Sequence, residues 1–142
     1  MYHGSYTMKH ILFDLIDCPF ELLNEEEYIN DSLLNASIVA RSPYIKIETH
    51  KFEPHGVTGY ALLAESHISI HTWPEIGLAK CDIFCCGETS KPKVAVDYLH
   101  RRFRSQEVRR WVCDRSNEKY QWYEQGMTFA KSKGIPAPED IG

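Results

Sequence analysis

Along most of the chain, apolar and polar residues alternate in short runs separated by turn residues, and two stretches repeat at helical spacing instead. His10 to Ile16 is apolar and β-capable, and Cys18-Pro19 ends it. Asn24 stands where a cap is expected, ahead of Glu25-Glu26-Glu27, whose charges suit a helix N-terminus. Ile29, Leu33, Ala36 and Ala40 then follow at helical spacing until Ser42-Pro43 stops them. Tyr44 to Phe52 sets Ile45, Ile47 and Thr49 against Lys46, Glu48 and His50, the pattern of a half-buried strand. After the Pro54-His55-Gly56 turn, Val57 to Ala64, Ser66 to Trp73 and Leu78 to Cys86 read as three more strands. Thr89 or Ser90 is the expected cap of a second helix with Pro92 in its first turn and a stripe of Val94, Ala95, Tyr98, Leu99 and Phe103. Glu107 to Cys113 reads as a last strand. The order β-α-β-β-β-β-α-β has three short strand connections in its middle, and short connections demand antiparallel neighbours. This predicts an α+β two-layer sandwich, a largely antiparallel sheet with two helices on one face. From Ser116 onward the pattern weakens, and Lys131 to Gly142 reads as a loose tail.

Composition narrows the function classes. The 142 residues suit about one domain, and 43% hydrophobic with 25% charged residues is ordinary for a globular chain. Sixteen Lys and Arg against twenty Asp and Glu leave a net charge of −4, so no global basic field recruits nucleic acid. The basic cluster Arg101-Arg102-Phe103-Arg104 with Arg109-Arg110-Trp111 is read as a solvated surface. Tyr120, Trp122, Tyr123 and Phe129 are expected to pack onto the domain or a dimer mate. No apolar stretch approaches the ~20 residues of a membrane helix, and no secretory signal is visible. Five cysteines without an export signal point to reduced thiols and a cytoplasmic location. There is no C-x-x-C, so neither a zinc site nor a redox pair is expected.

The unusual chemistry lies in Glu65-Ser66-His67-Ile68-Ser69-Ile70-His71-Thr72-Trp73-Pro74-Glu75. As a strand, it puts Ser66, Ile68, Ile70 and Thr72 on one face and His67, Ser69, His71 and Trp73 on the other. Two histidines at this spacing lack matching carboxylates or cysteines for a metal, and none is expected. In the next strand Ala79, Cys81, Ile83 and Cys85 form a core face, while Lys80, Asp82, Phe84 and Cys86 oppose them. Cys81 and Cys85 are therefore structural thiols, and only Cys86 is placed to do chemistry.

Three stretches, Phe52-Glu53-Pro54-His55-Gly56-Val57-Thr58-Gly59, Glu65 to Glu75 and Asp82-Ile83-Phe84-Cys85-Cys86-Gly87, resemble in order and spacing the small bacterial and archaeal S-adenosylmethionine decarboxylases. The similarity spans about residues 9–114. It implies a proenzyme that cuts its own Glu65–Ser66 bond into chains 1–65 and 66–142. Ser66 Oγ would attack the Glu65 carbonyl in an N-to-O acyl shift. Loss of the Ser66 α-proton and the Glu65 carboxylate would leave dehydroalanine, and hydrolysis with release of ammonia would leave a pyruvoyl group. The family places the base of this elimination at His71 and a supporting hydroxyl at Thr58, where many relatives carry serine. It places the proton donor of the decarboxylation at Cys86, and a homodimer with active sites near its interface. Phe52 and Glu75 would meet the adenine and the ribose hydroxyls. The resemblance leaves arginine or ornithine open as substrates, and also an unprocessed regulatory relative of the same fold. Residues 1–114 would be the decarboxylase domain and 115–142 a C-terminal extension.

Overall fold

The computed structural model describes residues 7–117 and 121–128. Seven strands, β1 (Met8–Ile16), β2 (Tyr44–Lys51), β3 (Val57–Leu63), β4 (Ser66–Trp73), β5 (Leu78–Cys86), β6 (Glu107–Asp114) and β7 (Gln121–Thr128), form one sheet in the order β2-β3-β4-β5-β1-β6-β7. Every neighbouring pair is antiparallel. Helices α2 (Glu26–Val39) and α3 (Pro92–Arg102) are the two the pattern predicts, and α1 (Phe20–Asn24) is an addition too short to show a helical period. The α+β two-layer arrangement stands.

The core lies where strand alternation puts it. Ile11, Phe13, Leu15, Val57, Ala61, Leu63, Ile68, Ile70, Ala79, Ile83, Val108 and Val112 pack against Leu23, Ile29, Leu33, Ala36, Ala95, Leu99 and Phe103 of the helical layer. Each large apolar side chain buried this way contributes about 1.5–3 kcal/mol. Ser66 and Thr72 face the helices with Ile68 and Ile70, and both are buried. The Thr72 hydroxyl donates to the Leu23 carbonyl at 2.8 Å and accepts from Val57 N–H at 2.8 Å, tying α1, β3 and β4 together.

Several local expectations are corrected. Asn24 does not cap α2: Glu25 occupies the cap position without a side-chain bond, and Asn24 Oδ1 accepts from Gly56 N–H at 2.9 Å. Lys91 rather than Thr89 or Ser90 precedes α3, and the Ser90 hydroxyl donates to the Gly87 carbonyl at 2.9 Å. Ile45 is 64% exposed, because β2 is an edge strand whose register shifts between Tyr44 and Lys46. Arg110 is fully buried, and Arg102 stacks on the Tyr28 ring at 3.6 Å and bonds Ser32, so neither belongs to a solvated basic surface. Strand β7 pairs with β6 where the sequence pattern weakens. Trp122 on it is exposed in the single chain, which leaves a dimer mate as the expected cover for its ring. Tyr120, Phe129 and the expected tail from Lys131 lie outside the described residues, as does the side chain of Tyr123.

Candidate active site

Strand β4 begins directly after a two-residue loop, Ala64-Glu65, that closes the β3–β4 hairpin. Glu65 adopts φ 60°, one of four positive-φ residues other than glycine among the described residues, all in connections between elements. For a residue with a Cβ this costs about 1–2 kcal/mol. The next residue, Ser66, is buried, and its Oγ has no hydrogen-bond partner. Burying a polar group without a partner is costly, so an orphaned hydroxyl beside a strained backbone points to use rather than to stability.

Across the β4–β5 ladder His67 opposes Phe84, and continuing that register brings Cys86 beside Glu65. The Cys86 thiol hydrogen-bonds the Glu65 side chain; partial burial first, then the nearby carboxylate, pushes its pKa up, so the sulfur carries its proton. Burial also pushes the Cys85 thiol up, but Cys85 sits in the core with Cys81, against Ser42. Cys86 is the half-exposed member of the adjacent pair, as alternation predicts.

A second group occupies the other end of the same strands. His71 Nδ1 and Thr58 Oγ1 are 3.1 Å apart on paired positions of β3 and β4. Glu75 lies on the single 3₁₀ turn Pro74–Ile76 that follows β4, and its Oε1 is 3.0 Å from His55 Nδ1. Phe52, 46% exposed, meets the His50 ring edge-to-face at 4.6 Å, and its N–H bonds the Gly56 carbonyl at 2.8 Å. Glu65, Ser66 and Cys86 thus cluster at one end of β4 and β5, with the Ser66 side chain on the helix face and Cys86 on the open face, and Phe52, Thr58, His71 and Glu75 cluster toward the other end. Ser66 and His71 are five positions apart along the strand, about 17 Å at 3.4 Å per residue, and their side chains leave opposite faces. Within one chain the two clusters do not meet.

The S-adenosylmethionine decarboxylase family model matches residues 9–116. The chain belongs to the S-adenosylmethionine decarboxylase family. It is 38% identical over 115 residues to a relative from Thermodesulfovibrio yellowstonii, covering 78% of this chain and 85% of the relative. It is 45% identical over 93 residues to one from Methanococcus maripaludis, covering 66% and 76%. Both relatives are named S-adenosylmethionine decarboxylase proenzyme. A crystal structure of the adenosylmethionine decarboxylase from Aquifex aeolicus superposes with a TM-score of 0.68 at 36% identity, over 85% of this chain and 92% of that one.

For a decarboxylase of this family, the open sheet face adds residues that sequence reasoning did not single out. Asp82 Oδ2 accepts from His10 Nε2 at 2.7 Å and from His67 Nε2 at 2.9 Å, and Ser69 Oγ donates to Oδ1. Burial would raise the Asp82 pKa, but the three donors outweigh it and hold the carboxyl well below its usual range. Among the described residues, His10, His67 and Asp82 are the group able to hold a metal ion, with ligand atoms within 4.8 Å of one another. Arg115 Nη1, however, donates to His10 Nδ1 at 3.2 Å, which puts the ring's own proton on Nε2, toward Asp82. That tautomer suits a hydrogen-bonded cluster rather than a ligand set. The missing signal was the order of strands: β1 lies beside β5, which places His10 opposite Phe84 and within reach of Asp82.

Proposed function

We propose that this chain is an S-adenosylmethionine decarboxylase proenzyme that cuts itself between Glu65 and Ser66 and converts Ser66 into a pyruvoyl group. The observation that carries the reading is the buried, unpartnered Ser66 hydroxyl placed directly after the positive-φ Glu65. A nucleophile with no competing hydrogen bond, next to the amide it would attack, fits the group it must become. Ser66 Oγ adds to the Glu65 carbonyl, the amide becomes an ester, and removal of the Ser66 α-proton expels the Glu65 carboxylate. Water then releases ammonia and leaves the pyruvoyl group, which supplies a ketone that joins the substrate amine and takes up the electron pair freed with carbon dioxide.

The chain's own residues do the rest. Cys86 Sγ, kept protonated by its surroundings, delivers a proton to the substrate carbon that has lost its carboxylate. His71, its Nδ1 beside the Thr58 hydroxyl, serves as the base of the self-cleavage. Phe52 offers an exposed ring to the adenine, and Glu75 accepts from the ribose hydroxyls. Because one chain keeps its two clusters about 17 Å apart, the working site is composite: Ser66 and Cys86 of one copy with Thr58, His71, Phe52 and Glu75 of a second. The exposed side chains Leu12, Tyr60, Leu62 and Trp73 on the helix-free face support this homodimer.

Retention of Ser66, His71 and Cys86 together supports an active enzyme over a regulatory relative, and the family match supports S-adenosylmethionine over arginine or ornithine. The product would be the decarboxylated aminopropyl donor of spermidine synthesis. No described helix is long and apolar enough to cross a membrane. Residues 1–114 form the decarboxylase domain and 115–142 its extension, and we assign the protein to the cytoplasm. Assay of the purified protein with the three substrates side by side, beside denaturing electrophoresis, tests the reading. Two chains and release of carbon dioxide from S-adenosylmethionine are expected. One uncut, inactive chain, or turnover of arginine or ornithine alone, would overturn it.

A further inference from the structure

We propose that His55 is a positioning residue that sets the Glu75 carboxylate for the hydroxyls of its substrate, an inference that rests on Glu75 being the ribose acceptor. His55 Nδ1 lies 3.0 Å from Glu75 Oε1, and the two side chains are 31% and 44% exposed. At that exposure a lone glutamate samples several rotamers, and ordering it when substrate binds has an entropic cost. An imidazole nitrogen held 3.0 Å from Oε1 restricts that freedom beforehand. The contact engages Oε1 and leaves Oε2 for O–H donors.

The backbones on both sides of this contact are independently held, so the interaction acts on a side chain and not on the fold. On the His55 side, Gly56 N–H bonds Asn24 Oδ1 at 2.9 Å, and its carbonyl accepts from Phe52 N–H at 2.8 Å. Gly56 has φ +110°, and a Cβ there would lie 3.3 Å from the Thr72 carbonyl oxygen, so the turn sits directly against the end of β4. The Phe20 ring meets the His55 ring edge-to-face at 5.7 Å and orients it. On the Glu75 side, Gly77 closes the 3₁₀ turn at φ +65°, bonds the Pro74 carbonyl at 3.1 Å, and accepts from Cys18 N–H at 2.9 Å. A half-exposed histidine–carboxylate pair contributes little to stability, so its value lies in what Glu75 does.

The test uses processed protein and S-adenosylmethionine, comparing wild type with His55→Ala, His55→Asn and Glu75→Gln. His55→Ala is expected to raise KM about fivefold, the scale of ordering one rotamer-rich side chain, with self-cleavage, kcat and melting temperature unchanged. His55→Asn, whose amide N–H can stand in for Nδ1–H, is expected to return KM to within about twofold of wild type. Inhibition by adenosine and by 2′-deoxyadenosine reads the hydroxyl directly: the preference for adenosine should shrink in His55→Ala. An unchanged KM in His55→Ala while Glu75→Gln raises it overturns the positioning role and leaves the ribose reading intact. So does a fall in kcat at constant KM, or an equal loss in His55→Asn. An unchanged KM in Glu75→Gln overturns the ribose reading on which the inference stands.

Discussion

Ser66 holds a buried hydroxyl with no partner, an arrangement that costs about 1–3 kcal/mol and that folding alone does not require. Its replacement by alanine is therefore expected to leave the fold intact, to raise the melting temperature slightly, and to abolish cleavage on denaturing gels. The adjacent thiols separate by face. Cys86→Ala is expected to process normally but to lose turnover at least a hundredfold, or to inactivate during turnover by transamination. Cys85→Ala is expected to stay active with reduced stability, because Cys85 is in the core. A dead Cys85→Ala beside a normal Cys86→Ala in the decarboxylation assay would reverse the assignment. Asp82 gives a pH signature of definite sign. Its carboxyl titrates lower in the folded chain than the usual 3.8, so the stability it contributes is present above about pH 4 and is lost as the pH falls below that value. Urea titrations should find Asp82→Asn less stable than wild type at pH 6, with the gap only beginning to narrow below about pH 4 and closing well below pH 3.

At the scale of elements, strand alternation was fully legible. The run from Ser66 to Trp73 shows its alternation directly, and the structure buries Ser66, Ile68, Ile70 and Thr72 as that alternation requires. The same holds for Ala79, Cys81, Ile83 and Cys85 of β5. What the chain did not reveal depends on partners distant in sequence. Asn24 looks like a cap because of the acidic run after it, but Gly56 N–H, thirty-two residues away, takes its oxygen. Ile45 alternates correctly and still lies outside the core, since an edge strand with a register shift has no second neighbour to cover it. The Asp82 cluster could not be read until β1 was known to lie beside β5. The β2–β3 turn is sensitive to a single methyl group. Gly56→Ala meets both a positive φ and the Thr72 carbonyl, and is expected to destabilise by about 1–3 kcal/mol in thermal melts.

For the whole molecule, the decisive geometry is the separation of Ser66 and Cys86 from His71 and Thr58 along β4. If a second copy completes each site, two defective chains should rescue each other. Coexpressed Ser66→Ala and His71→Ala chains are expected to give partial cleavage of the His71→Ala chain, because the Ser66→Ala copy lends it an intact His71. Neither chain should be cut when made alone, and absence of cleavage in the mixture would contradict the composite site. The family match and the order of motifs made the activity legible from sequence, as they did the expectation of a homodimer, while the distance along β4 that gives a second copy something to supply could be read only in three dimensions. Self-cleavage is the step on which everything else depends, and intact-mass spectrometry of freshly purified, active protein tests it most directly. The account predicts two species, residues 1–65 and a chain beginning at position 66 that is lighter by one ammonia than its serine-headed form. A single uncut species of 16.5 kDa in protein that decarboxylates S-adenosylmethionine would contradict it.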